Sequence, residues 1–517
     1  MTDAPSPSGA PAHRHSLWVV LLVVCIGQFM VVLDVSVVNV ALPAIQRSLH
    51  FTEANLQWVV TAYALTFGGL LLLGGRLADL FGRRRIFLIG LGLFTVASIA
   101  GGFAPNQGTL VAARALQGIG GAVLSPATLT IITVTFTENH ARARALGVWS
   151  AVAAGGGAAG ALFGGVLTDL LSWRWILFIN VPIGIVAIVV ARIVIAESRA
   201  TGERQPLDVA GAVTVTAGMI ALVYAIVRTD QVPWGSAQTI GILAVAAVLL
   251  GAFVLIEARL ASHPLVPLRM FASRALTGAN AAMFCFGASM FGMWFFLTLY
   301  LQQVLGFSPL TTGYAFLPQT AAIAIAATIA GRLAPRIGPR PVIVVGALMA
   351  AGGLFWLSFI GVGQSYWANA FGGGVLATFG MGLAFTPIAL AATAGVRAHE
   401  AGLASGLVNT SRQIGAALGL AVLSTVVADH MRSYLDQTFH GPAFTTPAQA
   451  QAAHQHLVAT ASASGYAQGF GIAAAIALAG AVLALVIPAH PRRPDPSPAG
   501  AGAGAVIEGP LPAPEPA

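Results

Sequence analysis

GRLADLFGRRR at residues 75–85 returns as GRLAPRIGPRP at residues 331–341, 256 positions later. Each copy links two apolar runs through a short arginine-rich connection, so the repeat divides the chain into two related halves of membrane-spanning helices. Other pairs keep nearly the same offset: Cys25, Gly27 and Met30 with Cys285, Gly287 and Met290, and Gly147, Gly156 and Gly160 with Gly406, Gly415 and Gly419. Residues 209–258 have no counterpart and read as a linker hairpin.

Composition fixes the solvent. Hydrophobic residues make up 57% of the chain, charged residues 8%, and mean hydropathy is +0.83, which excludes a soluble domain. A span needs about 20 apolar residues to cross roughly 30 Å of hydrocarbon, and about fourteen stretches qualify, the first near Leu17 and the last near Ala467. The expected fold is an all-α polytopic membrane protein with about 14 transmembrane helices, in two six-helix pseudo-symmetric halves plus a two-helix linker hairpin. Residues 1–16 form a cytoplasmic segment, 17–199 the N-terminal half, 200–262 the linker with two extra spans, and 263–490 the C-terminal half. That last part carries a long outer loop at about 429–464, and residues 491–517 read as a disordered cytoplasmic tail. The first span is too long, and too poorly followed by a small-residue cleavage site, to be a removed signal.

All 25 basic residues are arginine, and positive charge favours the cytoplasmic side. With both termini inside, the 76–85 cluster and most other arginines lie on cytoplasmic loops, and only Arg47, Arg174, Arg228 and Arg432 fall outside. The net charge of +8 then reflects topology and contact with anionic lipid, and nucleic acid is not an expected partner. The two cysteines lie inside spans and give no disulfide framework.

Of the 17 acidic residues, Asp34 alone lies well inside an expected span. A carboxylate at the membrane centre costs roughly 2.5–3.5 kcal/mol on insertion scales, so it is expected to face a cavity and to serve function. Asp34 sits about 25 Å along its helix, and Arg114 enters the fourth span about 10 Å below the opposite surface by the same helical rise. The two fall at comparable depth. Desolvation favours a protonated carboxyl and a neighbouring guanidinium favours a carboxylate, so moving one relative to the other would switch a proton on or off. Arg412, deep in the thirteenth span, either lines a cavity or pairs with a backbone carbonyl.

Five stretches together resemble the major facilitator superfamily, and within it the fourteen-span drug:proton antiporter family of EmrB/QacA type, over about residues 17–488. LDVSVVNVALP, from Leu33, is similar to the first-span motif of that family, with Ser36 in place of its Thr. GRLADLFGRRR matches the loop between spans two and three, RALQGIGGA from Arg114 the fourth-span motif, and WRWILFINVPIG and YLQQVLGFSPLTTGYAFLP two further stretches. The resemblance implies that Arg114 takes part in proton coupling and that the substrate is an antibiotic, dye or other drug. One departure stands in the fifth span. Gly147, Gly156, Gly160, Gly164 and Gly165 keep the small-residue packing face, but Ala161 replaces the proline of the antiporter motif and the kink it brings.

The expected site assignments follow. Asp34 and Arg114 carry proton coupling, and Asp79, Arg83, Arg84 and Arg142 form a cytoplasmic gate, a carboxylate there being favoured at the N-terminus of a facing helix. In the second half Pro335 replaces the Asp, making the gate one-sided. Asn39, Gln117, Trp294, Tyr300, Gln302 and Arg412 are candidates for a substrate cavity, with Phe295, Gln303, Tyr314 and Gln319 as further aromatic and amide groups. His454 and His456 are set aside as solvated rather than metal-binding, so no metal is expected. The absence of nucleotide loops and nucleophile constellations predicts no enzyme activity and no cofactor, leaving the proton gradient as energy source. The expected partners are a small-molecule substrate and membrane lipid, in the bacterial inner membrane. A single membrane carboxylate predicts export of monovalent cations or neutral compounds; the alternative is a metabolite, lipid or siderophore transporter of narrow specificity.

Overall fold

The computed structural model describes residues 13–198, 208–229, 232–262, 264–394, 396, 400–438 and 447–488. Among them there is no strand. The helices are α1 (His13–Leu49), α2 (Glu53–Leu56), α3 (Trp58–Phe81), α4 (Arg83–Gly102), α5 (Gln107–Thr135), α6 (Asn139–Leu170), α7 (Trp175–Phe178) and α8 (Asn180–Val194). They continue as α9 (Val209–Arg228), α10 (Ala237–Leu255), α11 (Arg274–Leu299), α12 (Pro309–Ile337), α13 (Pro339–Leu357), α14 (Ala370–Thr393), α15 (Ala401–Thr438) and α16 (Pro447–Ala484). Five-residue π turns, Ile256–Leu260 and Tyr300–Val304, extend α10 and α11.

Thirteen stretches are long and apolar enough to cross a membrane, with α7 and α8 joined as Trp175–Val194. The 32-residue α6 is the fourteenth long helix: glycine and alanine lower its hydropathy but leave the length that a crossing needs. Start and stop signals are local. Asn106, Ser236, Ser273 and Ser308 accept the N–H three residues on and cap α5, α10, α11 and α12. The repeated loop that divides the chain turns on Gly82 and Gly338, whose φ of 108° and 88° a residue with a Cβ adopts only with strain. One glycine therefore reverses the chain between α3 and α4, and its repeat does so between α12 and α13.

Helix packing follows the duplication. α1 lies on α6 as α11 lies on α15, α3 and α4 lie on α5 as α12 and α13 lie on α14, and α4 meets α8 as α13 meets α16. Glycines allow the closest crossings in both halves: a Cβ on Gly120 would strike the backbone of Phe94, and one on Gly380 that of Ala350. The halves meet reciprocally, α6 against α12 and α3 against α15. α9 covers the α3–α15 seam, and α10 packs on α9 with only 11% of its span buried, as the outermost helix. Helix ends alternate between an arginine-rich face, where α1 and α4 begin, and the opposite face.

One feature adds to the sequence reading and one differs from it. A second buried carboxylate lies at the end of a span, where Asp34 lies well inside its own. Glu257, in the π turn closing α10 and 5% exposed, accepts the Val266 N–H at 3.0 Å, while Arg76 Nη2 donates to Pro264 O at 2.8 Å, so the hairpin is tied to α3 at the arginine-rich face. The long outer loop expected at 429–464 is helical over most of its length, α15 running to Thr438 and α16 starting at Pro447. Alanine and glutamine favour helix, and Ala461, Ala463 and Tyr466 are buried against the bundle. The expected tail at 491–517 lies outside the described residues, as do residues 1–12 of the N-terminal segment.

Candidate functional site

Helix α1 offers two faces to two environments. Gln28, Val31, Val35, Ser36 and Asn39 recur at helical spacing and line a cavity between the halves, while Asp34 turns from that face into the N-terminal half, with no exposed surface. Its carboxylate is met by three side chains from two helices. Arg114 of α5 donates through Nη1 to Oδ2 at 2.5 Å. Gln117 Nε2, one turn further along α5, donates to Oδ1 at 2.7 Å, and Asn180 Nδ2 at the start of α8 donates to the same oxygen at 3.1 Å.

The arginine is held as firmly. Its Nε donates to Val59 O at 3.0 Å, its Nη1 also reaches Gln117 Oε1 at 2.6 Å, and its guanidinium carbon stands 4.7 Å from the Tyr63 ring centroid. Gln117 Nε2 is in turn 2.7 Å from Ser98 Oγ on α4. A buried ion pair survives desolvation only with good geometry and satisfied lone pairs, and this network supplies both. Tyr63 turns one face to Arg114 and also lines the cavity, so a single ring separates the ion pair from the space between the halves.

That cavity measures about 340 Å³, the size of a small drug-like ligand. Val31, Phe67, Phe291, Trp294 and Phe316 make its walls largely apolar, with Ser36, Asn39, Thr320, Asn409, Arg412 and Gln413 as polar groups. At the opposite face the halves are closed on each other. Gln302 Nε2 donates to Val40 O at 2.7 Å and Gln303 Nε2 to Gln46 Oε1 at 2.6 Å, and the Tyr466 hydroxyl donates to Gln303 Oε1 at 2.7 Å.

The structure thus brings Asp34 and Arg114 together and places Asn39, Trp294 and Arg412 on the cavity wall. Gln117 belongs to the ion pair, not the cavity. Tyr300 is buried with its hydroxyl donating to Gly361 O at 3.0 Å, and Gln302 ties the halves as just described; neither lines the cavity, because both lie beyond Trp294, the last α11 residue on its wall, at the closed face. Ser98, Tyr63 and Asn180 escaped the sequence reading. Asn180 carried a usable signal, an amide inside the apolar stretch WRWILFINVPIG.

The packing face on α6 is real at four of five glycines. A Cβ on Gly156 would meet Val32, on Gly160 Ser36, on Gly164 the Val37 carbonyl, and on Gly165 the carbonyl of Pro309; at Gly147 nothing lies within 4 Å. Gly147 sits beyond the crossing with α1, in the first turns of the helix, and is not a packing residue. Ala161, at the proline position, contributes its carbonyl to the close crossing with Gly313 of α12.

Part of the expected gate lies outside the described residues. The Asp79 side chain lies outside the described residues, and so does any contact with Arg83 that depends on it. Arg142 donates to Phe136 O at 3.0 Å and Thr137 O at 3.1 Å, closing the carbonyl end of α5. A carboxylate not singled out in the sequence reading, Glu197 beyond α8, does meet a helix N-terminus. It accepts the backbone N–H groups of Arg84 and Arg85 at 3.2 Å each and lies 4.0 Å from Arg84 Nε, while Arg84 Nη1 donates to Ile195 O at 3.3 Å. A surface ion pair contributes little, so the anion at the start of α4 carries the effect. Glu197→Ala is expected to cost about 1 kcal/mol, read as a lower midpoint of thermal unfolding in detergent, with Glu197→Asp intermediate.

Comparison with known proteins agrees with this architecture. The profile described as the Major Facilitator Superfamily matches residues 24–420. The cephamycin export protein of Amycolatopsis lactamdurans is 44% identical over 423 residues, covering 81% of this chain and 87% of that protein. The puromycin resistance protein of Streptomyces alboniger is 43% identical, with 83% and 85% covered, and a multidrug resistance protein of Mycobacterium tuberculosis is 38% identical, with 80% and 77% covered. In fold, the chain is similar to the crystal structure of a bacterial homologue of the human lysosomal transporter Spinster, with a TM-score of 0.63 at 18% identity over 92% of this chain and 98% of that one.

Proposed function

Because the chain belongs to the major facilitator superfamily, whose profile spans both halves, we propose that it is a secondary transporter that exports antibiotics or other bulky amphipathic compounds in exchange for protons. The observation that carries this reading is the buried Asp34–Arg114 pair, one tyrosine ring away from a largely apolar cavity between two packed halves. Relatives named for export of, or resistance to, cephamycin, puromycin and tetracenomycin C support the substrate class.

The arginine-rich face is then cytoplasmic, with both termini inside and the protein in the bacterial inner membrane. Substrate enters the cavity from the cytoplasm while Gln302 and Gln303 hold the outer face closed. Rocking of the halves separates those ties and opens the cavity outward. A proton taken up by Asp34 from outside would release Arg114 from its partner, and its loss to the cytoplasm would restore the pair. The protein uses no cofactor in this scheme; the proton gradient does the work.

The test is proton release from energised inside-out vesicles, followed with a pH-gradient dye during additions of antibiotics and dyes. Amphipathic compounds are expected to restore fluorescence in vesicles carrying the protein and not in vesicles lacking it. A gradient undisturbed by every compound, with folded and abundant protein, removes proton-coupled efflux as the function.

A further inference from the structure

We propose that Arg412 makes the central cavity selective for anions, so that the compounds it takes are amphipaths bearing a carboxylate or a comparable acidic group; the proposal deepens, and rests on, the export reading of that cavity. Arg412 is the one charged side chain among the described residues that line it. Both of its bonded nitrogens, Nε and Nη2, donate to a neutral atom, Asn409 Oδ1, at 3.2 and 2.8 Å, and its guanidinium carbon stands 6.0 Å from the Phe385 ring centroid. It takes no part in the ion pairs Arg84–Glu197, Arg114–Asp34 and Arg269–Glu400. A guanidinium has five N–H donors in a planar fork that fits a carboxylate, and two of its nitrogens here satisfy only one amide oxygen.

The helix that carries the arginine is held at this depth. α15 crosses α11 at Gly287, where an added Cβ would strike the Arg412 carbonyl, and at Gly415, where one would strike the Phe284 carbonyl. That backbone contact fixes the depth from which the side chain starts, in the same cavity wall as Phe291 and Trp294. Asp34 cannot balance it. Its carboxylate is committed to Arg114, Gln117 and Asn180 and does not line the cavity. The sequence-based expectation of monovalent cations or neutral compounds assumed that the membrane carboxylate faced the substrate. With the carboxylate sealed away, the cavity presents one positive charge in surroundings of low dielectric, which attracts an anion and repels a cation.

Two xanthene dyes of opposite charge test this, fluorescein and rhodamine 123. Binding to the purified full-length protein in nanodiscs is measured by dye anisotropy, and uptake in energised inside-out vesicles. Wild type is expected to bind fluorescein at least about tenfold more tightly than rhodamine 123. Arg412→Gln should weaken fluorescein about 10- to 100-fold, the range for a hydrogen bond to a charged group, and leave rhodamine 123 unchanged or tighter. Arg412→Lys, which keeps the charge, should preserve the order of the two dyes. Absence of fluorescein binding, a preference of wild type for rhodamine 123, or equal effects of Arg412→Gln on both dyes overturns the proposal. Arg412-dependent fluorescein binding without uptake of either dye would uphold the anion site and remove the export reading. Uptake of rhodamine 123 alone, indifferent to Arg412→Gln, would do the reverse.

Discussion

Asp34→Asn is expected to reduce proton-coupled transport at least about 100-fold, to the level of vesicles without the protein, while leaving substrate binding nearly intact. The two effects separate because Asp34 lies outside the cavity lining. An amide cannot gain and lose the proton that a carboxyl carries. It also fits the network badly: Oδ2 accepts from Arg114, and Oδ1 from Gln117 and Asn180, so either orientation of the amide sets a donor against a donor. Arg114 is then left as a buried charge without its counter-ion, and breaking a buried pair from one side costs about 3–5 kcal/mol. The measurement is substrate-induced proton release beside equilibrium binding on the same preparation, with the unfolding midpoint to register the stability loss. Release at the wild-type rate would remove Asp34 from the coupling mechanism.

Gly165→Leu is expected to abolish transport by a different route, with the protein still folded. An added Cβ at Gly165 would lie 2.6 Å from Pro309 O and 2.8 Å from Leu310 Cα, backbone atoms that cannot rotate away. These contacts cross between the halves beside the Gln302 and Gln303 ties. The new side chain therefore wedges open the face that is closed in this conformer. Overpacking costs about 1–3 kcal/mol, and a penalty of that size on one state shifts a two-state equilibrium by roughly 5- to 150-fold. Val35→Cys, placed in the cavity wall, would report the shift: labelling by an impermeant maleimide applied to whole cells should rise in the Gly165→Leu background. The control is Gly147→Leu on the same helix, where nothing lies within 4 Å and transport and labelling should stay near wild type. Equal effects at both glycines would point to a general loss of helix integrity.

Much of the site was legible because its signals are local or obey simple depth rules. Asp34 stands out as a carboxylate in an apolar run, and counting helical rise from each face brings Arg114 to its level. Gln117, one turn from Arg114 on α5, was read as a cavity residue, and only the packing shows that it serves the ion pair. The cavity was harder. Asn39, Trp294 and Arg412 are on its wall, whereas Tyr300 and Gln302 lie beyond Trp294 at the closed face, and being an aromatic or an amide in the right helix does not settle which part of the cavity's depth a residue reaches.

The sequence by itself determined the number of the long helices, the duplication that pairs them, the arginine-rich connections that recur in each half, and the presence of a charged couple at membrane depth. These depend on hydropathy, rise per residue and backbone conformation, all properties of neighbouring residues. Only the tertiary structure decided what each polar side chain faces: that Asp34 is enclosed by α5 and α8 instead of the cavity, that Glu197 from beyond α8 meets the start of α4, and that Arg412 is the one charged side chain among the described residues lining the cavity. Those outcomes depend on how each helix is rotated about its axis and which neighbour it meets. That rotation is set by the shapes of packed surfaces far apart in the chain.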